Sequence, residues 1–197
     1  VDTPITVAAD LILASGSPRR RELLSGFGLL FEVQAAEIDE SVHPGEAARR
    51  YVQRMALEKA AAVARRQPDR AVLAADTSVV IDGRILGKPG TPEAARAMLE
   101  QLSGRAHQVM SAVALLVPGR EPVEALSVTD VRFAELPAAW IERYVASGDP
   151  LDKAGAYGIQ NDAGHWVRRI DGSYSGVVGL PLFETGELLR AAGLLRI

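Results

Sequence analysis
At 197 residues, 48% of them hydrophobic and 24% charged, the chain is long enough to bury a sizeable core and suits a single domain. A net charge of −3 argues against a general nucleic-acid-binding surface, and the absence of cysteine excludes disulfides, thiolate catalysis and cysteine-ligated zinc or iron–sulfur centres. The longest apolar runs, such as residues 112–117, are far too short to span a membrane. The beginning of the sequence, with Asp2 and Asp10 and no basic or long apolar stretch, reads as carrying no signal peptide, so a cytoplasmic location is expected.

Residues 11–14 read as a short buried strand, followed by a turn of small residues and a helix over 18–27. Ser17 takes the N-cap position and Pro18 the first helical position. Arg19, Arg20 and Arg21 come next, although a helix N-terminus already carries about half a positive elementary charge. A second strand spans 31–35 and a polar loop 37–45. A long helix over 46–67 shows apolar spacing at Tyr51, Val52, Met55, Ala56 and Val63, and Pro68 stops it. Residues 71–75 read as a buried strand ending at Asp76. Strands at 78–81 and 84–86 flank Asp82-Gly83, the strongest two-residue hairpin signal. Thr91-Pro92-Glu93 opens a helix that ends at Ser103-Gly104. Strands at 107–117 and 123–133 form a longer hairpin around Pro118-Gly119. A helix over 137–146, a glycine-rich region over 148–179 holding short strands, and a helix from Pro181 to about Ala192 complete the chain. Early alternation of strands and helices followed by hairpins predicts a mixed-sheet α/β fold.

Several positions carry chemistry. Small residues before a helix N-terminus let backbone N–H groups approach an anion, and arginines just inside add charge-assisted bonds to phosphate; an Arg-rich solvated turn is the competing reading of the same stretch. "EIDES" gathers Glu37, Asp39 and Glu40 in a loop, suited either to solubility or to a hard cation, which takes one or two carboxylates plus substrate phosphates. Asp76, at the expected end of "AVLAAD", stands where open α/β sheets place ligands; it reads as a metal ligand, a general base or a turn cap. Only three of the 22 basic residues are lysines, Lys59, Lys88 and Lys153. In a chain that otherwise uses arginine, each is a candidate for a position needing a compact charge. His43, His107 and His165 show no metal-ligand spacing and read as structural or exposed, and Trp140 and Trp166 read as packing residues.

Taken together, "LASGSPRRRELL", "IDE", "EKA", "ADTSVVIDGRILGKP", "MLEQLSGRAHQV", "DKAGAYGIQ" and "GSYSGVVGLPL" follow the order seen in Maf-type nucleoside triphosphate pyrophosphatases, and the chain resembles that family from about Leu11 to Leu189. The resemblance implies one domain over 1–197 with an elongated, mixed-sheet α/β fold like that of the inosine triphosphatases, and a substrate cleft between two lobes. It implies hydrolysis of a nucleoside triphosphate to the monophosphate and pyrophosphate with a divalent cation, Mg²⁺, Mn²⁺ or Co²⁺. By matching motif, Asp76 and Glu40 become the catalytic carboxylates and metal ligands. Ser15, Ser17, Arg19, Arg20, Lys59 and Lys88 become the phosphate-binding residues, with Lys153 a lesser candidate. Arg19, Thr77 and Gln160 match the branch acting on dTTP and UTP, whereas the branch acting on 7-methyl-GTP carries an aromatic residue, Gln and Glu there. A Gln amide complements the N3–H and a carbonyl of thymine or uracil. The chain departs from the commoner family pattern at Ala75, Ser111, Asn161 and Gly176. The family also suggests a homodimer, and one associated role is nucleotide-binding regulation of cell division; intact Asp76, Glu40, Lys59 and Lys88 favour turnover.

Overall fold
The computed structural model describes residues 10–195. Residues 1–9, with Asp2 and the stretch read as lacking a signal peptide, and residues 196–197 lie outside the described residues, so the domain expected over 1–197 is followed within 10–195. Strand β1 (Leu11–Leu13) leads into α1 (Pro18–Ser25), β2 (Phe31–Val33) and α2 (Ala48–Ala64). Strand β3 (Ala71–Ile81) turns into β4 (Arg84–Leu86), followed by α3 (Pro92–Leu102), the hairpin of β5 (Ala106–Leu116) and β6 (Val123–Phe133), and α4 (Ala138–Ala146). Three 3-10 turns, Asp149–Asp152, Ala154–Ala156 and Asp162–Trp166, precede β7 (Val167–Asp171), α5 (Tyr174–Val178) and α6 (Leu182–Ala191).

Local chemistry accounts for several of these boundaries. Asp82 and Gly83 both take positive φ, 51° and 74°, as a two-residue type I′ hairpin turn requires. Thr91 caps α3 by accepting the Ala94 N–H at 3.2 Å, and Pro92 follows in the first turn. Ser17 does occupy the N-cap position of α1, but its side chain makes no capping bond.

The strands form one mixed sheet in the order β2-β1-β3-β5-β6-β7, with β4 joined to β3 off that path. β1 pairs in parallel with β2 and β3, and the remaining pairings are antiparallel. Helix α2 covers one face through Val52, Ala56 and Ala60 against Ile12, Val72 and Ala112. On the other face Leu24 of α1 and Leu189 of α6 pack on Leu13, Leu73 and Val113. Beyond them α3 and α4 build a separate core, with Leu99, Leu102, Trp140 and Tyr144 around Val79 and Phe133. Among the described residues no helix is long and apolar enough to cross a membrane.

Two expectations are corrected. Asp76 does not end a strand: 71–75 and 78–81 are one continuous β3, and the polar run Asp76-Thr77-Ser78 stays in the ladder opposite Ala112, Ser111 and Met110 of β5. The glycine-rich region holds one strand, a short helix and three 3-10 turns rather than several strands. Close packing explains why glycine is needed there. A Cβ on Gly155, at φ +67°, would meet the Val79 side chain at 2.8 Å, and one on Gly164 would fall within 2.3 Å of the Ile159 carbonyl.

The ladder around β3 creates the site. β5 pairs with β3 from Val72 to Val80 along one edge. The other edge is shared by β1, which reaches only Leu73, and β4, which begins pairing at Val79. Residues 74–78 therefore have no strand on that side. Asp76 sits in the middle of the gap.

Candidate active site
A cleft of about 540 Å³ opens at this gap. Ser15, Ser17, Arg19 and Arg20 from the β1–α1 segment line it, with Glu40 and Lys59 above the α2 face. Asp76 and Thr77 of β3, Lys88 from the loop after β4, and Gln160 close to the third 3-10 turn complete the set. The β1–α1 segment and Glu40 thus face Lys88 and the 152–161 segment, each side standing on a different core. Every residue to which the family resemblance gives a role lines this one cleft, whereas Glu37 and Asp39 of the same acidic loop as Glu40 do not. Arg21, the third arginine of the run, does not.

Successive side chains of a strand point to opposite faces, so Asp76 and Thr77 serve the two sides of the gap. On the α2 side, Lys59 Nζ donates to Asp76 Oδ1 at 2.7 Å and lies 2.9 Å from Glu40 Oε1. Lys59 stands on the buried stripe of α2 with Val52, Ala56 and Val63, and both Lys59 and Asp76 are buried. Two of its three ammonium hydrogens are thus committed to protein carboxylates, leaving one for a substrate. Burial raises the Glu40 carboxyl, but the Lys59 hydrogen bond, together with the charges of Lys59, Lys88 and Arg20, outweighs it and holds the group below the usual carboxylate range. Tyr51 donates its hydroxyl to the Glu40 carbonyl at 2.9 Å. Burial, reinforced by Asp76 and Glu40, pushes that phenol up to about 12, so it stays a donor. Arg54 joins Glu46 and the Ser41 carbonyl, fixing the same loop at its far end.

On the opposite face, Arg20 turns inward. Its Nε donates to Gly179 O at 2.8 Å, and its two terminal nitrogens lie 3.4 Å from Ser15 Oγ and Thr77 Oγ1. Burial lowers the guanidinium from its ordinary value, Asp76 pulls it back, and neighbouring Arg19 lowers it again. A cation disfavoured by burial and by a like charge gains from a bound anion. Ser15 Oγ accepts from the Ser17 N–H at 3.2 Å and keeps its own proton for a ligand. Lys88 is exposed and its side chain, like those of Arg19 and Gln160, makes no hydrogen bond or ion pair among the described residues.

Lys153 differs from Lys88. Its buried ammonium is tied to Asp149 O at 2.5 Å, Asp152 Oδ1 at 2.9 Å and Asp149 Oδ1 at 3.1 Å. Asp149 also accepts from Tyr144 and from Asn161 Nδ2 at 2.8 Å, so this cluster braces the segment carrying Gln160. His107, which the sequence leaves as structural or exposed, is buried with Nε2 at 2.7 Å from Tyr157 OH, behind the cleft wall.

Among the described residues, no group of three or more His, Asp or Glu side chains gathers closely enough to hold a metal ion. Asp76 and Glu40 nevertheless converge on one ammonium, and Asp76 Oδ2 accepts no hydrogen bond among the described residues. Two carboxylates completed by substrate phosphates are a donor set that Mg²⁺ takes, so the residues present fit a cation held jointly with the substrate.

Tyr51, which lines the cleft, and Asp149, which braces its 152–161 side, are not legible as contributors to the site. Tyr51 reads as one more apolar position of α2. The one usable signal was at Lys59, a lysine spaced with the apolar stripe of a helix.

A family profile described as Maf-like protein matches residues 10–192. A relative from an Anaeromyxobacter species, named dTTP/UTP pyrophosphatase, is 56% identical over 191 residues, covering 95% of this chain and 91% of its own length. Another of that name, from Methylococcus capsulatus, is 56% identical over 185 residues, covering 93% and 91%. Among solved structures, the Staphylococcus aureus Ham1 protein aligns with a TM-score of 0.52 at 16% identity over 92% of this chain and 96% of that one. A nucleoside-triphosphatase, also titled dITP/XTP pyrophosphatase, from Mycobacterium abscessus aligns with a TM-score of 0.50 at 20% identity over 92% and 93%. These two likenesses concern the fold alone, and it is the mixed α/β fold expected from the sequence.

Proposed function
The chain belongs to the Maf-like protein family, and we propose that it hydrolyses dTTP and UTP to the nucleoside monophosphate and pyrophosphate with a divalent cation, Mg²⁺, Mn²⁺ or Co²⁺. The observation that carries this reading is the cleft at the β3 gap, where a paired Asp76 and Glu40 stand within the same cavity as unpartnered Arg19, Lys88 and Gln160. Relatives more than half identical over nearly the whole chain bear the name dTTP/UTP pyrophosphatase.

In this reading Arg20, Arg19, Lys88 and the Ser15 and Ser17 hydroxyls bind the triphosphate, and the first-turn N–H groups of α1 after Pro18 add backbone donors. A cation bound by Asp76, Glu40 and the phosphates supplies charge neutralisation at the reacting phosphoryl group. Asp76 accepts the proton of a water whose oxygen bonds to the α-phosphorus; the bond from that phosphorus to the α–β bridging oxygen breaks, and pyrophosphate leaves with the bonding pair. Lys59 holds the Asp76 carboxylate in place while its remaining hydrogen is free for a phosphate oxygen. Gln160, exposed at the rim, reads the N3–H and a carbonyl of the pyrimidine. Cytosine lacks that N3–H, and where the bound base covers the Gln160 amide the group left unmatched costs about 1–3 kcal/mol. A cytoplasmic homodimer accompanies the same reading.

The test is a panel of nucleoside triphosphates with Mg²⁺ or Mn²⁺, scored for pyrophosphate against orthophosphate. dTTP and UTP are expected fastest, with pyrophosphate as first product. Faster turnover of 7-methyl-GTP or ITP would overturn the substrate assignment, and orthophosphate as first product would overturn the reaction.

A further inference from the structure
The hydroxyls behind Arg20 have a forced direction. Ser111 Oγ lies 2.6 Å from Gly176 O, an atom that can only accept, so the one Ser111 hydroxyl proton goes there. The 2.8 Å contact between Ser111 Oγ and Thr77 Oγ1 then requires the Thr77 proton. Thr77 accepts from Arg20 in any case, since a guanidinium only donates; what the Ser111 contact decides is that the Thr77 O–H points to Ser111 at 2.8 Å rather than to Gly179 O at 3.4 Å. The chain runs one way, from the Arg20 guanidinium through Thr77 and Ser111 to the Gly176 carbonyl in α5. Thr77 and Ser111 are direct partners across β3 and β5, and Ser111 is 1% exposed.

A guanidinium has five N–H groups. Three of those on Arg20 meet Gly179 O, Ser15 Oγ and Thr77 Oγ1. The other two, one on each terminal nitrogen, have no acceptor among the described residues, on a side chain that lines the cleft. Two free donors on one planar fork suit bidentate binding of a phosphate.

We propose that Ser111 is a positioning residue for the phosphate end of the cleft: by taking the Thr77 proton it fixes the Thr77 hydroxyl with a lone pair toward Arg20, and so the plane in which Arg20 presents its two free N–H groups to a bound polyphosphate. The proposal rests on the reading of the cleft as a nucleoside triphosphate site. It assigns a purpose to Ser111, one of the positions where the chain departs from the commoner Maf pattern; Gly176 enters the relay only through its backbone carbonyl. It also separates two residues that the sequence grouped together. Thr77 acts on phosphate through Arg20, while unpartnered Gln160 is left to the base.

The experiment measures KM and kcat for dTTP and GTP, and the inhibition constant of pyrophosphate, for wild type, Ser111→Ala, Ser111→Thr, Thr77→Val and the double variant Thr77→Val/Ser111→Ala. Ser111→Ala is expected to raise KM for both nucleotides and the pyrophosphate constant together by about three- to tenfold, the equivalent of one hydrogen bond's net contribution. The dTTP to GTP preference should not change, and Ser111→Thr should restore wild-type values. The double variant should be no worse than Thr77→Val, because a relay broken once has nothing further to lose. An unchanged pyrophosphate constant in Ser111→Ala, a shifted nucleotide preference, or multiplying effects in the double variant would overturn the proposal. Should Ser111→Ala fail to fold, Thr77→Val decides alone: it breaks the same relay at a less buried position, and an unchanged pyrophosphate constant overturns the proposal. A wild type that releases no pyrophosphate from any nucleotide refutes the function but leaves the relay readable by calorimetry with tripolyphosphate. Weaker binding by Ser111→Ala supports it, and equal binding, or no binding by wild type, overturns it.

Discussion

Replacing Lys59 by methionine keeps the bulk of the side chain and removes the ammonium between Asp76 and Glu40. In the wild type that nitrogen is 2.7 Å from Asp76 Oδ1 and 2.9 Å from Glu40 Oε1. Removing one partner of a buried pair costs about 3–5 kcal/mol, because the other charge is left uncompensated. Asp76 is 7% exposed and bears that cost; the Glu40 side chain, 45% exposed, is solvated and adds little. Because Asp76 borders an open cleft, the lower end applies, about 3 kcal/mol, which for a chain of this size is a fall in Tm of roughly 6–12 °C. Thermal and urea denaturation in the presence of a chelator read it. Two further arms test the cause. Asp76→Asn combined with Lys59→Met should regain most of the loss, since no charge remains stranded. Mg²⁺ should raise the Tm of Lys59→Met more than that of wild type, because a cation takes the place of the lost lysine. An unchanged Tm in Lys59→Met, or a double variant as unstable as the single, would refute the view that Lys59 holds the carboxylates.

Asp76→Asn alone should stay folded, with Lys59 still paired to Glu40, and lose turnover of dTTP by about 10²-fold or more, the scale of a general base; near-wild-type hydrolysis would move the chemistry to another group. Lys88→Ala should raise KM by about ten- to a hundredfold, as for a lost charge-assisted bond, yet leave Tm unchanged because Lys88 has no partner among the described residues; a fall in Tm with normal kinetics would show a structural lysine. His107 gives a pH signature. Burial lowers it from 6.5 to about 4, so between those values the unfolded chain binds a proton that the folded chain refuses, and stability falls as pH drops through that window. At about 1.4 kcal/mol per pH unit the loss approaches ~3 kcal/mol. Urea titrations from pH 7 to 4 should show this slope in wild type and a shallower one in His107→Gln; equal slopes would mean that His107 is not buried as the neutral ring.

Where local geometry demands particular residues, the sequence was readable. Asp82-Gly83 turned where positive φ was needed, Thr91-Pro92 opened α3, and the apolar spacing of α2 placed that helix. The run Asp76-Thr77-Ser78 misled because polarity in a strand suggests its end. Here the Asp76 and Thr77 side chains are satisfied from a distance, by Lys59 on α2 and by Ser111 across the sheet. The glycine-rich region misled for a related reason, since its glycines answer to Val79 and Ile159 packing rather than to a strand pattern. Motif order gathered the cleft residues, but not how they share partners. Nothing local tells that Lys59 is largely occupied by carboxylates, that Lys153 is tied to Asp149 and Asp152, or that Lys88 alone of the three lysines stays unpaired.

The most direct test of the central claim is hydrolysis of dTTP in water enriched in heavy oxygen, with the label located by mass spectrometry of both products. Attack on the α-phosphorus by a water that gives its proton to Asp76 puts the label in dTMP and none in pyrophosphate. Label in the pyrophosphate, or orthophosphate as the first product, would contradict the account.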